Sequence, residues 1–214
     1  MPEYAPPEGL TPRLAALPAG TRLWRCHRTR YPAAAFNPVA AHTHFGGNRF
    51  DGTTSDPYPY LYAADEPATA LAEVFLRSRP FGGPSGERLI PRAQSDGYAL
   101  SLLTTTAPLT LIQLVTEEDL AAVKQDHWLL EAEGAGAPQT RYWAQALRRD
   151  APAAQGMVWQ SRRRRSGLAL VLFGDRCAAG ALAAEPSETF DLSTPAGRDR
   201  ANGWLAPLLA AIHP

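Results

Sequence analysis

Cysteine is scarce in this chain and long apolar runs are missing. Cys26 and Cys177 are the only cysteines. They stand alone and form no CxxC pair, which argues against a secreted disulfide framework and against a zinc site. No segment reaches 18 uninterrupted apolar residues, and the start, MPEYAPPEGLTPRL, lacks the basic region and apolar core of a signal peptide. A cytoplasmic protein that does not engage a membrane is expected. Neither sign of charge is in excess, since Lys+Arg and Asp+Glu are both 21. That balance argues against strong non-specific nucleic-acid binding, and the weak colloidal repulsion it implies favours life in a complex. The phosphate-loop pattern and the GxGxxG fingerprint are absent, so kinase, GTPase and dinucleotide-fold dehydrogenase classes have no motif support. HxExxH-like ligation is missing too. His42 and His44 have no spaced third ligand, and no metal is expected.

What is present is the composition of a soluble globular protein, 45% apolar and 20% charged over 214 residues, enough for one good core. Arginine far outnumbers lysine, a bias that carries no mechanistic weight. Residues 1–20 hold Pro2, Pro6, Pro7, Pro12 and Pro18, too many for a regular element beyond a turn of helix over 12–17. We read this as an N-terminal extension to a domain spanning 21–214. The run RLWRCH from Arg22 predicts a strand with Trp24 and Cys26 on its apolar face and Arg25 opposite, where an arginine must reach solvent or find an anion. Residues 29–43 read as a long loop of the functional kind, with Phe36 as its anchor. Strands are predicted over 98–103 and 109–115, as neighbours joined by the 104–108 turn. Thr116 and Asp119 predict a capping box on a helix reaching Leu130, with His127 on its inward face. A further helix is expected over 140–149, a strand over 157–160, and a central strand over 168–173 after a hairpin-like connection holding Arg162–Arg165. Phe190 and Leu192 suggest an edge strand, and 201–212 a closing helix despite Pro207.

The most informative stretch runs from Gly46 to Phe75, GGNRFDGTTSDPYPYLYAADEPATALAEVF. Gly46 and Gly47 suit a tight turn or a close backbone approach to a ligand. Tyr60–Ala64 reads as a strand with Tyr60 and Tyr62 on one face. Asp65 is placed to cap a helix that starts at Glu66 and runs to Arg77. Leu71, Val74, Phe75 and Ser78 make its inward stripe, and Glu73 lies beside that stripe with Thr69 and Arg77. Glu73 then has two readings. One is a solvated i,i+4 pair with Arg77, worth about 0.3–0.5 kcal/mol. The other is a carboxylate in a cleft wall, with the tyrosines on the floor and Arg49 as counter-charge. Gly82, Gly83, Pro84 and Gly86 end the helix in a mobile connection.

Arg25, the G-x-x-R-F at Gly46–Phe50, Y-L-Y-A-A followed by A-x-x-E at Ala70–Glu73, and G-x-x-W-x-S at Gly156–Ser161 together resemble the RES-domain family, over about residues 20–175. The family often shows Gly-Arg-Trp where this chain has Asn48, Arg49 and Phe50, and Pro-Ser where it has Gln160 and Ser161. The resemblance implies an α+β fold, a single domain with a central, split, mixed β-sheet of ADP-ribosyltransferase-like type flanked by helices. It implies an NAD-consuming toxin of a bacterial toxin–antitoxin pair. NAD would be the substrate, cleaved between nicotinamide and ribose, with water, inorganic phosphate or a protein side chain as acceptor. Arg25 and Arg49 would line the NAD cleft, Tyr62 and Tyr60 would lie beside the nicotinamide, and Glu73 and Ser161 would complete the site. The partner implied is an Xre-like helix-turn-helix antitoxin whose tail covers the cleft, with contacts at residues 82–97 and Arg162–Arg165. DNA would be reached only through that antitoxin, and homo-oligomers are compatible with this picture. Two other classes compete: a non-catalytic nucleotide- or partner-binding protein on the same fold, and a nucleic-acid module centred on the arginine run, whose affinity would fall steeply with salt.

Overall fold

The structure, a computed structural model, describes residues 5–82 and 86–213; Pro2, Gly83 and Pro84 of the expectations above lie outside them. In chain order the strands are β1 (Leu14–Leu17), β2 (Arg22–Arg28), β3 (Tyr60–Ala64), β4 (Arg88–Ile90), β5 (Tyr98–Thr105), β6 (Leu109–Leu114), β7 (Gly156–Gln160), β8 (Leu168–Phe173), β9 (Leu182–Asp191) and β10 (Ala210–Ile212). The helices are α1 (Pro67–Phe75), α2 (Arg92–Ser95), α3 (Glu117–Ala122), α4 (Trp128–Glu131), α5 (Ala137–Asp150) and α6 (Pro195–Leu205). Eight strands form one sheet in the order β1-β6-β7-β8-β3-β2-β5-β9, with β6 and β7 parallel and the remaining neighbours antiparallel. β10 and β4 make a small parallel pair.

The sheet curls because two segments run side by side around a corner. Leu17 lies opposite Leu109 and Arg22 opposite Thr104, so β1 and β2 on one segment track β6 and β5 on the other. The amides of Gly20 and Thr21 hold the corner by donating to the Thr105 carbonyl (2.7 Å) and to Thr105 Oγ1 (2.9 Å). One face of β8 sends Leu170 and Leu172 into the curl with Leu23, Leu61, Leu103 and Leu111; its other face sends Ala169, Val171 and Phe173 toward the helices. Both faces are buried, which is why LALVLF has no polar alternation. Over the outer face, α3, α4 and α5 cover the β6–β8 half, where Trp143, Leu147 and Trp159 pack. On the β2–β5 half, α1 and α6 bury Trp24, Leu71, Phe75 and Leu205. This is an α+β fold with a mixed, curled sheet flanked by helices, as the resemblance implied. Among the described residues no helix is long and apolar enough to cross a membrane.

Several expectations are corrected. The prolines of residues 1–20 leave room for a strand, since Pro12 and Pro18 flank β1 and an edge strand needs partners on one side only. β5 and β6 are not neighbours: β5 is flanked by β2 and β9, and the connection after Thr105 carries the chain around the corner. Asp65 does not cap α1. Its amide is held by the Leu168 carbonyl at 3.0 Å, and Glu66 occupies the N-cap position without a side-chain bond. α1 stops at Phe75, ahead of a left-handed Ser78 (φ 52°) and Pro80. Ser78 is therefore outside the helical stripe, and buried Thr69 and Ala72 are in it.

The capping box of Thr116 and Asp119 forms, but a left-handed Lys124 (φ 56°) ends the run after Ala122. That break resets the helical phase, and His127 is exposed beside Glu117 Oε1 (3.8 Å) instead of packed inward. The closing helix ends at Leu205, and left-handed Leu209 (φ 49°) turns the chain into β10. Its partner β4, with α2, gives regular structure to residues 88–95 of the expected loop.

Candidate active site

The cleft begins where β2 and β3 part. They share one register pair, Trp24 with Ala64. At the other end of β3, Asn37 takes its place beside Tyr60: the Asn37 amide donates to the Tyr60 carbonyl at 2.8 Å and the Tyr60 amide to the Asn37 carbonyl at 3.0 Å. The 29–59 segment thus wedges the sheet open, and a cavity of about 870 Å³ lies between α1, the split strands and residues 132–137. That volume falls in the range of sites for nucleotide-sized ligands.

Glu73 projects from α1 into this cavity with its side chain 14% exposed. Ser161 Oγ donates to Glu73 Oε1 at 2.6 Å, and Arg49 Nη2 lies 3.7 Å from Glu73 Oε2. Ser161 sits at the start of the β7–β8 hairpin, where the amides of Arg163 (3.2 Å) and Arg164 (3.1 Å) donate to its Oγ. With both lone pairs accepting, the hydroxyl proton is directed at the carboxylate. Arg77, the alternative partner, donates Nε to the Glu73 carbonyl (2.7 Å) and Nη1 to Asn48 Oδ1 (2.7 Å), tying helix to loop. The cleft-wall reading of Glu73 is the one that describes its surroundings.

Arg49 is buried, and its guanidinium lies 5.7 Å from the Trp159 ring. Desolvation pulls its pKa down, and the Glu73 carboxylate opposes that pull. The loop carrying it is held from α5. Arg141 donates to the carbonyls of Gly46 (2.7 Å) and His42 (3.0 Å), and Thr140 Oγ1 donates to the Arg49 carbonyl (2.9 Å). Gly47 is left-handed (φ 71°), and a Cβ there would meet Ala41 Cβ at 2.7 Å, so this turn needs a residue without one.

Tyr62 OH accepts from the Phe50 amide (3.1 Å) and donates to Asp51 Oδ1 (2.8 Å). Desolvation, with Asp51 close by, pushes its pKa well up and keeps the phenol neutral. Its ring meets Trp159 and Tyr60 edge-on. Tyr60 OH accepts from Asn37 Nδ2 (2.8 Å) and donates to the Val39 carbonyl (3.3 Å). Arg25 lies at the split on the face of β2 opposite Trp24. It finds carbonyls and not an anion, donating Nη1 to Ala33 (2.6 Å) and Ala35 (2.7 Å). Burial brings its pKa down to about 10. All six predicted residues except Ser161 line the cavity, and Ser161 reaches it through Glu73.

Residues that the sequence reading passed over support this centre. Asp51 Oδ2 accepts from the Asn48 amide (2.8 Å) while Oδ1 holds Tyr62. Nothing in the spacing marks Asp51, because its partners come from β3 and its own turn. The arginine run is a clamp. Arg163 pairs with Glu133 and Arg165 with Glu131, Arg162 lies 3.6 Å from Glu133, and Arg164 pairs with Glu66 at 2.6 Å. Burial works against ionisation of Glu133, yet the Arg163 hydrogen bond and the charges of Arg163 and Arg162 outweigh it and lower its pKa. Four cations matched this way leave little free charge for a nucleic-acid surface. Among the described residues no three His, Cys, Asp or Glu side chains are grouped to hold a metal.

These features meet an independent comparison. A chain of the crystal structure of the M. tuberculosis MbcT–MbcA toxin–antitoxin complex is similar in fold, with a TM-score of 0.56 at 18% identity, over 86% of this chain and 90% of that one. No curated protein matches in sequence. Residues 22–194 match the RES domain, a span that starts with β2 and contains every residue of the centre around Glu73, and on that match the chain belongs to the RES domain family.

Proposed function

We propose that this protein is a toxin-type enzyme that cleaves the bond between nicotinamide and ribose in NAD, with water or inorganic phosphate as acceptor. The observation that carries this reading is the Glu73 carboxylate, held by Ser161 and Arg49 in a cleft of dinucleotide size. As the C1′–N bond breaks, its electron pair stays on the nicotinamide ring nitrogen, which leaves neutral and needs no proton. Positive charge develops on the ribose as an oxocarbenium ion. A carboxylate fixed beside it lowers that barrier directly or through a ribose hydroxyl. Ser161 then serves as a positioning residue: its oxygen accepts from the Arg163 and Arg164 amides and its proton orients the Glu73 carboxylate that faces the ribose. Arg49 and Arg25 offer always-protonated forks to the pyrophosphate, and the Tyr62 ring stacks against the nicotinamide with Tyr60 behind it. A protein side chain as acceptor, giving ADP-ribosylation, is the second reading; the open cleft mouth leaves room for it.

A protein of this activity needs restraint, and an antitoxin chain that covers the cleft is the partner we propose, with an Xre-like helix-turn-helix part carrying any DNA contact. Purified protein free of such a partner, incubated with NAD with and without phosphate, is the test. We expect nicotinamide release with phosphate present, with ADP-ribose-1″-phosphate as second product if phosphate is the acceptor, and release in both conditions with ADP-ribose as second product if water is. Glu73→Gln should lower turnover by about a hundredfold or more. Unchanged NAD in both conditions with an unmodified protein pool would reject the enzyme reading and leave a binding protein.

A further inference from the structure

The cleft crosses the sheet from Trp159 on β7 to Tyr98 on β5. Its two ends differ in how firmly their guanidiniums are held. At the β7 end Arg49 faces the Glu73 carboxylate, and Arg77 is held by short bonds to the Asn48 amide oxygen and the Glu73 carbonyl. Arg25, midway, is bound to two carbonyls. At the β5 end stand Arg28 and Arg30. Arg28 lies 4.0 Å above the Tyr98 ring, with one long bond to the Asp96 carbonyl (3.4 Å), and Arg30 lies 4.8 Å from the Tyr31 ring. Among the described residues neither forms an ion pair with a carboxylate, and both line the cleft.

If nicotinamide sits beside Glu73, as the proposed function has it, the pyrophosphate falls near Arg25 and the adenosine reaches Arg28 and Arg30. An adenosine ribose in NAD carries no charge for two unmatched guanidiniums. A 2′-phosphate does, and an arginine beside that position is what accommodates it in other dinucleotide sites. We infer that the cleft prefers the 2′-phosphorylated dinucleotide, NADP, to NAD, through Arg28 and Arg30 at its adenosine end. The adenine gains the aromatic and guanidinium planes of the same residues as stacking surfaces.

The test compares kcat/KM for NADP and NAD in the wild type and in an Arg28→Gln, Arg30→Gln double variant. We expect a wild-type ratio of about tenfold or more in favour of NADP, the value of one charge-assisted contact, and a ratio near one in the variant. A wild-type ratio at or below one, or a ratio unchanged in the variant, overturns the inference. Calorimetry with 2′,5′-ADP and ADP on the wild type gives the same answer without turnover: tighter binding of 2′,5′-ADP supports the inference and equal affinities overturn it. Tighter binding of 2′,5′-ADP by a protein that consumes neither dinucleotide would reject the cleavage reading alone and leave the anion site standing.

Discussion

In the proposed mechanism Ser161 acts on the chemistry through Glu73 without meeting the substrate. Its oxygen receives two hairpin amides and its proton goes to Glu73, so Ser161→Ala removes the donor that orients the carboxylate and leaves two amides without their acceptor. We expect kcat to fall tenfold or more, about 1.4 kcal/mol of barrier, with KM less affected; steady-state kinetics on NAD reads the split. Tyr62→Phe separates ring from hydroxyl at the cleft floor. Stacking survives while Asp51 and the Phe50 amide lose a shared partner, and urea melts should show a loss of about 1–3 kcal/mol.

His27 supplies a pH signature. Its Nδ1 lies 3.0 Å from the Arg28 carbonyl, which only accepts, so the proton is on Nδ1 and the bare Nε2 accepts from Ser101 Oγ at 3.0 Å. Burial lowers its pKa below the ordinary 6.5. The unfolded chain therefore binds this proton first as pH falls. The stabilisation is whole above about 6.5 and is lost on acidification through the lower folded value. Melting temperature should decline from pH 7 toward 5, with a shallower decline in His27→Gln.

At the scale of elements, the β7–β8 hairpin and the segment around α4 act as one piece. Arg163 and Arg162 reach Glu133, Arg165 reaches Glu131, and Arg164 pins the hairpin to Glu66 ahead of α1. Because the hairpin also carries Ser161, loosening this clamp should disturb Glu73. A double-mutant cycle on Arg163→Ala and Glu133→Ala should give a coupling near 1 kcal/mol in stability and a matching non-additivity in kcat. The lowered pKa of Glu133 sets the window, since the pairing is intact above the ordinary glutamate value of 4.5 and is lost as pH falls through the lower folded one. Gly167 sits against Thr69 of α1, and a side chain there would meet the Thr69 hydroxyl. The hairpin is therefore seated on the helix that bears the carboxylate.

For the whole molecule, the curled sheet places a solid apolar layer behind an open cleft. Leu172 is fully buried in the curl with Leu61 and Leu111, and Leu172→Ala should cost about 2–5 kcal/mol, read by denaturant unfolding. The same curl explains which long-range relations escaped the sequence. Local periodicity placed β2, β3, β7 and β8, yet the 104–108 turn looks like a hairpin because nothing local reports that β5's other edge is taken by β9. His127 was misplaced for a similar reason, since one left-handed residue, Lys124, rotated everything after it.

Residue types and short spacing by themselves determined much of this protein: the strand that carries Tyr60 and Tyr62, the helix that carries Glu73, the all-apolar central strand, and the order of arginine, glutamate and serine by which the family is legible. The three elements follow from side-chain alternation, helical spacing and an unbroken apolar run, which act over a few residues, and the family is legible by resemblance. Tertiary structure alone decided that the Glu73 carboxylate meets Arg49 and Ser161 while Arg77 takes only the Glu73 carbonyl, that Asp51 holds Tyr62, and that four successive arginines are matched by Glu66, Glu131 and Glu133. Each of those depends on which strands part and which chain segments the curl brings together, and a burial energy shared over the whole core sets that arrangement.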